Sequence, residues 1–585
     1  MGAAARRRLA RPLRPLTMAS PRSGLQHIGA WAIAGVTVGP TLGALYWAAQ
    51  PLWQGPWLRT LIEQAVHRPW LLTLWTATAS TLVAVALCNL ILSRTLGRGH
   101  TTESLLLKHL GWALATPHLA FALALGWLIA PTGLFWRLLS QLTGWPAQPL
   151  DWSITHDPWA MSMVAVLVMK ELPFLLWVGW AEWQRPDQRL HWQQQWACAQ
   201  TWGYNPWSAW QIAVSPSLWL RLRWPVLAVW AYGWGVVDVG LAIGPTAPPT
   251  AAVLAWQWLH DANPDMRRAG VALSWMVGLG VAIGGWALLR WMDIPGRGTR
   301  WALRRFQFLS PVARIGHDRF RDSPGWWQQG VTWIAPSIAM VYAIGLMLTL
   351  GLSFVPLWPY PALFPESFSA LAWHEVARST STLTDTITLA LGSTLASMLL
   401  LIGWLESASA RWQWFAQRWA LVWLICPPVL WLWGIHGVVI AWGVDASWTA
   451  VFVGHVFAVL PYVLLALGPA YANFDPRFTD VAATLGKGWW SQRWHIKWPM
   501  LRAPLWRTAA IGCAVSLAQY LPTEWLGGGR ISTLTTEALT QSSGGQRHIS
   551  AAWALAQWVL PMLVFAWATR ESQSKTTERA AQATD

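Results

Sequence analysis

The stretch 480–499, called the second loop below, is polar and basic, yet it lies between two long apolar segments. Within it, Gly486-Lys487 is the pair that could bind phosphate, because a Gly-Lys pair closes the phosphate-binding loop of nucleotide hydrolases. That loop also needs a glycine five positions before the pair and a Ser or Thr after it, and neither is present here. The stretch therefore predicts no nucleotide hydrolysis by this chain.

Ionisable side chains inside apolar segments are the next candidates, because a charge in a bilayer is costly and usually lines a path or finds a partner. Asp238 stands out by this criterion, although a carboxylate satisfied by neighbouring helices is an equally supported alternative. Lys170 and Glu171 are adjacent and are expected to pair with each other or to reach the membrane interface. The scattered histidines are interpreted as packing residues: His118, His436 and His455.

No pattern in the chain predicts a catalytic residue, a metal ion or a cofactor. The four cysteines lack metal-site spacing and form no periplasmic pair: Cys88, Cys198, Cys426 and Cys513. No cluster of His, Asp and Glu recurs at one membrane depth, so a membrane-bound enzyme finds no support.

The composition places the chain in a bilayer. It has 585 residues, of which 54% are hydrophobic and only 11% are charged. Continuous apolar runs of about 20 residues indicate membrane-spanning helices, not barrel strands. There are twelve such runs, near 28–49, 69–93, 109–130, 158–180, 224–242, 269–289, 331–355, 382–404, 417–441, 449–470, 508–523 and 549–568. Tryptophan is extreme at 53 residues, and interfacial belts account for only part of it.

The net charge of +16 is explained by topology. With a cytoplasmic N-terminus and twelve crossings, the cytoplasmic segments hold 32 Lys and Arg and the periplasmic segments hold 8. This bias is the positive-inside rule, so the charge orients the protein and predicts no nucleic-acid partner.

The chain also repeats itself. Leu172-Pro173-Phe174 in the first half matches Leu460-Pro461-Tyr462 in the second, 288 positions later. A degraded copy of the second loop lies at 197–216, called the first loop below, and Gly203 and Gly486 are 283 positions apart. Six runs in each half make this a parallel repeat, not an inverted one.

The residues of the second loop predict a helix, a turn at Gly486 and a short second helix along the membrane face. Their spacing resembles the E-A-A loop of bacterial ABC importer permeases, with Asp480, Val481 and Ala482 at the E-A-A positions and with Gly486, Ile496 and Pro499 in register. In the first loop, Ala197-Cys198-Ala199, Gly203 and Pro216 follow the same spacing without the acidic residue. An ordinary amphipathic interfacial helix is the alternative for either loop.

Taken over residues 28–568, the chain resembles the fused-dimer permeases of the type I ABC importer superfamily, which include iron(III) and thiamine permeases. The segments 516–523 and 527–537 look most like an uncharacterised thiamine-permease-like branch. The resemblance implies an all-α polytopic fold of about twelve transmembrane helices, arranged as two parallel six-helix repeats.

The resemblance also implies roles and partners. The ATPase-coupling residues would be Asp480, Ala482, Gly486, Ile496 and Pro499, with Gly203 and Pro216 in the first loop. The fifth span of each half would line the substrate path, which gives Asp238, Gln519 and Tyr520. Separate ABC ATPase subunits, expected in two copies, and a periplasmic solute-binding protein would complete an importer in the bacterial inner membrane.

The expected organisation has five parts: an N-terminal tail (1–26), a first permease domain (27–290), a basic linker (291–330), a second permease domain (331–569) and a C-terminal tail (570–585). Both tails and the linker are expected in the cytoplasm. An ion-coupled secondary transporter is the alternative function, although that class favours inverted repeats and buried acidic clusters.

Overall fold

The computed structural model describes residues 35, 39, 42–53, 55, 57–96, 113–204, 206–292 and 325–582. Every regular element among these residues is helical, and no strand occurs among them. The expected N-terminal tail, the first part of the predicted span 28–49 and most of the linker lie outside the described residues.

The first half contributes ten helices to the description that follows. They are α1 (Trp57–Glu63), α2 (His67–Thr95), α3 (His118–Ile129), α4 (Leu134–Thr143), α5 (Met161–Trp183), α6 (Pro186–Thr201), α7 (Ser215–Gly235), α8 (Asp238–Ile243), α9 (Ala251–Leu259) and α10 (Pro264–Met292).

The second half contributes eleven. They are α11 (Gly325–Leu352), α12 (Leu371–Arg378), α13 (Thr380–Ser407), α14 (Ala410–Ile425), α15 (Pro428–Ala441), α16 (Trp448–Ala472), α17 (Arg477–Thr484), α18 (Arg502–Leu517), α19 (Leu521–Gly527), α20 (Leu534–Ser543) and α21 (Arg547–Gln582).

The parallel repeat is visible in the positions at which the helices begin. The starts of α8, α9 and α10 each lie 283 positions before those of α19, α20 and α21. The same offset relates two π-helical turns, Trp210–Val214 and Arg493–Lys497, which follow the first and second loop glycines. No insertion or deletion therefore separates the two halves from the loop glycine to the last span, and the two-repeat all-α fold is confirmed.

Seven helical segments in the described part of the chain are long and apolar enough to cross a membrane, with α3 and α4 together counted as one, and an eighth counts if α14 and α15 form one bent span. The remaining predicted runs are shorter or interrupted here. The run 417–441 bends by 103° between α14 and α15, and the runs 224–242 and 508–523 each divide into two helices.

The interruption of the fifth span has a local cause in each half. Pro522 lies in the first turn of α19, where proline is favoured because it has no N–H to leave unpaired and its ring presets the helical φ. In the first half, Asp238 lies in the first turn of α8, where a carboxylate is favoured by the positive end of the helix dipole. Two apolar runs that read as simple spans are thus broken helices.

Threonines on α2 and α13 cap α9 and α20, the helices that come after the broken fifth spans. The Thr73 hydroxyl oxygen accepts the N–H of Ala251 at 2.7 Å, and the Thr386 hydroxyl oxygen accepts the N–H of Leu534 at 3.0 Å. Ala251 and Leu534 are the first residues of α9 and α20, whose leading N–H groups have no partner within their own helices. Both halves satisfy the same donor in the same way.

The halves interlock through their first spans. Tyr342 of α11 stacks on Phe121 of α3 with ring centroids 4.4 Å apart, and its hydroxyl donates to the Met169 carbonyl at 2.9 Å. In the other direction, a Cβ at Gly434 of α15 would lie 1.8 Å from the carbonyl oxygen of Ala44, so only glycine fits there. Each half therefore completes part of the other's core.

Candidate functional site

Both loop glycines close a helix in the same way. Gly486 has φ +75° and Gly203 has φ +88°, in the left-handed region that favours glycine. After α17, the Lys487 N–H donates to the Ala482 carbonyl and the Gly486 N–H to the Ala483 carbonyl, both at 3.0 Å. This pair of bonds is the Schellman motif. The first loop forms the same pair at Gly203, so its degraded sequence keeps the turn.

The second loop presents apolar side chains to solvent. Asp480 and Pro499 are exposed, Ile496 is half-buried, and Ala482 packs inward with 4% exposure. Large apolar side chains surround them on the outer surface: Phe478, Val481, Leu485, Trp490, Trp494 and Met500. Several large exposed apolar side chains on one short segment are typical of a binding site for another protein or for the membrane.

A buried ion cluster fixes the second loop to α13. The Glu406 carboxylate lies 3.1 Å from Arg493 Nε and 3.0 Å from Lys497 Nζ, and its side chain is 4% exposed. The Arg493 guanidinium lies over the Trp489 ring, and the Lys497 ammonium lies over the Tyr471 ring. Burial lowers the pKa of Lys497, and the Glu406 carboxylate opposes that shift.

Uncharged hydrogen bonds and tryptophan rings hold the first loop, together with the Arg94 guanidinium of α2, which lies 5.6 Å from the centroid of the Trp207 ring. The Asn89 side-chain oxygen on α2 accepts from Trp210 Nε1 at 3.2 Å and from Ser215 Oγ at 3.2 Å. Trp183 lies between Trp192 of α6 and Trp210, with ring centroids 5.9 and 5.8 Å away, and all three rings are buried. This tryptophan cluster explains part of the high tryptophan content, and Pro216 lies beyond it in the first turn of α7.

The predicted path residues lie where the two broken spans meet. Asp238 starts α8 and is partly buried. Tyr520 of the second half packs against the same apolar cluster as Leu241 of α8, so Asp238 and Tyr520 lie in one region of the protein. Gln519 instead bonds to the end of α18, because its side-chain amide donates to the Val515 carbonyl at 3.1 Å.

Other polar side chains extend this region in the first half. His118 Nε2 lies 3.4 Å from the Glu171 carboxylate, and its ring packs 4.7 Å from that of Tyr232. Lys170 does not bond to Glu171, because its ammonium donates to the carbonyls of Ala113 and Thr116 at 2.8 and 2.5 Å. Both carbonyls belong to residues just before Pro117, which has no N–H to donate. The sequence alone does not indicate this pairing with Lys170.

The buried His455 of the second half connects three helices. Its Nδ1 lies 2.8 Å from Ser516 Oγ and its Nε2 lies 2.9 Å from Thr523 Oγ1. The corresponding first-half positions, 283 before the two hydroxyls, are Gly233 and Gly240. Among the described residues, no group of three His, Cys, Asp or Glu is placed to hold a metal ion.

No protein-family model matches the chain. It is 30% identical over 544 residues to the inner membrane ABC transporter permease protein YnjC of Escherichia coli (strain K12), across 92% of this chain and 94% of that protein. The chain belongs to the inner-membrane ABC transporter permeases.

Membership in this family makes the permease a transport subunit and not a catalytic enzyme. Together with the apolar helices, it places the permease in the inner membrane as a multi-pass protein. It also favours an ABC transporter over the ion-coupled secondary transporter that the sequence left as an alternative.

Two residues of the permease that the sequence did not single out fix its loops. Glu406 lies two positions beyond the apolar run that ends at 404. An acidic residue at the cytoplasmic end of a span, among segments rich in Lys and Arg, is a signal for an ion pair. Asn89 lies inside the run 69–93 and carries no such signal, because a single asparagine in a span has many possible partners.

Proposed function

We propose that this permease is the membrane subunit of a binding-protein-dependent importer, with the first and second loops each gripping one ATPase subunit. Supporting this is the repeated loop geometry: two helices ended by the same glycine motif, each followed by a short helix and a π turn at the same offset of 283. Two equivalent projections on one polypeptide suit a partner present in two copies.

The second loop is the stronger ATPase site in this proposal. It keeps Asp480 at the acidic position of the E-A-A pattern, and it exposes an apolar surface around Leu485 and Trp490 that a groove on the partner can cover. The first loop keeps the turn and exposes Trp202 and Tyr204, but it lacks the acid.

The substrate path in this proposal runs between the broken fifth spans, past Asp238, Gln519 and Tyr520. A periplasmic binding protein delivers the solute, which has cationic or hydrogen-bond-donating character to match Asp238. The two permease domains (27–290 and 331–569) flank this path, with the linker and both termini in the cytoplasm, as the distribution of Lys and Arg indicates.

Substitution of the loop glycines tests the proposal. Gly486→Trp puts a bulky side chain at φ +75°, a backbone conformation that is sterically unfavourable for residues with a Cβ. It also places this side chain on the surface proposed to meet the ATPase. We expect substrate-stimulated ATP hydrolysis by the purified complex to fall by about tenfold or more, a typical size for coupling between sites. Gly203→Trp should have a smaller effect.

Gly486→Asn is the matched control, because asparagine tolerates the left-handed region better than other non-glycine residues. It should keep most of the stimulated activity. All variants should insert into the membrane, since no span is altered. Near-native ATP hydrolysis in both tryptophan variants would refute the proposed coupling role.

A further inference from the structure

Helix α13 touches the second loop at one end and the cap of α20 at the other. Glu406 holds the loop near the C-terminus of α13, whereas Thr386 accepts the first N–H of α20 near its N-terminus. The Thr382 and Ser532 hydroxyls, 2.6 Å apart, add a second bond at that end. The 20 residues from Thr386 to Glu406 span about 30 Å, the thickness of the hydrocarbon core.

Uncharged residues could hold the second loop in place, so its attachment does not require the ion cluster at Glu406. Removing three charged groups from water is costly, and apolar replacements of similar volume often stabilise a protein as well or better. The first half shows such a solution, because Trp210 occupies the position 283 before Arg493 and bonds to the neutral Asn89. The charged version in the second half therefore calls for a role beyond packing.

Two aromatic rings lie against the cations of the cluster. One carboxylate meets two cations, and the surplus positive charge is met by ring faces, with Lys497 Nζ 4.5 Å from the Tyr471 centroid and the Arg493 guanidinium carbon 4.2 Å from the Trp489 centroid. Charge-assisted bonds are shorter and stronger than neutral ones. The second loop is thus attached to α13 by directional charge-assisted bonds, which fix its orientation as well as its distance.

We propose that Glu406 is a positioning residue that locks the second loop to α13, so that α13 carries a displacement of the loop across the membrane to the cap of α20 and the break at α19. The inference rests on the proposed function, because it takes the second loop to be where the ATPase acts. It adds a defined route from that loop to the periplasmic side of the path.

Distance measurement between spin labels tests this route directly. Labels are placed at Thr246→Cys and Arg530→Cys, two exposed positions in the loops before α9 and α20, in a Cys198→Ser background that removes the exposed native thiol. The complete complex with its ATPase subunits is compared in lipid nanodiscs without nucleotide and after trapping with MgATP and vanadate. The otherwise native complex should show a change in the label–label distance on trapping.

Glu406→Gln should abolish that distance change while ATPase subunits stay bound and still trap nucleotide with an unchanged KM for ATP. The kcat of stimulated ATP hydrolysis should fall by about tenfold. Glu406→Asp, which keeps the charge, should restore part of the distance change. The control Glu63→Gln removes the carboxylate of an exposed ion pair, Arg59–Glu63 at 2.7 Å, and should behave as the unmodified complex does.

Two results would overturn the inference. One is a full distance change in Glu406→Gln. The other is loss of the ATPase subunits from Glu406→Gln but not from Glu63→Gln, which would show that Glu406 only supports the docking surface. If Gly486→Trp uncouples the complex and Glu406→Gln does not, the inference fails and the proposed function stands. If Gly486→Trp is also without effect, the proposed function fails as well.

Discussion

At the scale of single residues, the two halves have diverged most along the proposed path. Asp238 begins α8 in the first half, whereas its counterpart 283 positions later is Leu521. The polar side chains around Asp238, His118 and Glu171 among them, also belong to the first half. The second half fills the comparable region with His455, which its neighbours satisfy with hydroxyls. The proposed path therefore carries different polar side chains from the two halves, with Asp238 on one side and Gln519 and Tyr520 on the other.

Asp238→Asn should lower solute uptake by about tenfold or more, roughly the worth of one hydrogen bond to a charged group. Assembly with the ATPase should be intact, because the substitution keeps size and shape. Uptake is measured with the solute identified on the co-purified periplasmic binding protein, and Asp151→Asn, at an exposed position, is the control. Normal uptake, or a complex that falls apart, would make Asp238 a structural contact instead.

At the scale of helices, the repeat preserves hydrogen bonds more faithfully than it preserves sequence. Thr73 and Thr386 cap α9 and α20 in the same way. The helices that end at Gly203 and Gly486, α6 and α17, also close with the same pair of hydrogen bonds. The means of attaching the loops to α2 and α13 differ, with Asn89, tryptophan rings and the Arg94–Trp207 contact in one half and Glu406 in the other.

Thr386→Val should destabilise the protein by about 1–2 kcal/mol, because the buried N–H of Leu534 loses its acceptor while the side-chain volume is kept. Thr73→Val should cost a similar amount through Ala251. Thermal unfolding of the purified permease in detergent measures both. Thr388→Val removes an exposed hydroxyl that bonds within its own helix, and an equal loss there would contradict the capping argument.

Much of this helical arrangement follows from the sequence, because apolar length, charge bias and the spacing of the first and second loops are local properties. The breaks in the fifth spans are harder to predict, since Val236-Val237-Asp238 is apolar enough to pass as a continuous span. The tie at Glu406 joins residues 87 positions apart, and the tryptophan cluster forms only after α5, α6 and the π turn have packed. Contacts of that range are set by tertiary structure.

At the scale of the whole molecule, the permease is two interlocked units. Phe121 and Tyr342 join α3 to α11, and Trp558 of α21 donates to the Thr116 hydroxyl at 2.8 Å. Arg137 of α4 adds a clamp between the halves, because its guanidinium donates to the carbonyls of Trp358, Pro359 and Ala362. Any motion of one half relative to the other must either preserve these contacts or break them.

Reporter fusions test the orientation of the whole chain. The Lys and Arg distribution predicts cytoplasmic readings for fusions at Gln194 and Ser491 and periplasmic readings at Thr143, Ala262 and Ser542. Gln194 and Ser491 belong to corresponding segments of a parallel repeat and must share a face. Readings on opposite faces would contradict the topology and, with it, the placement of both ATPase subunits.

The stacking of Phe121 on Tyr342 also sets an order of events during synthesis. The two rings are 221 positions apart, so α3 enters the membrane long before the helix that covers it exists. At typical translation rates of 5–20 residues per second the interval is roughly 10–40 s. Throughout that time α3 is without this aromatic partner, and the first half cannot reach its final form before the ribosome has passed Tyr342.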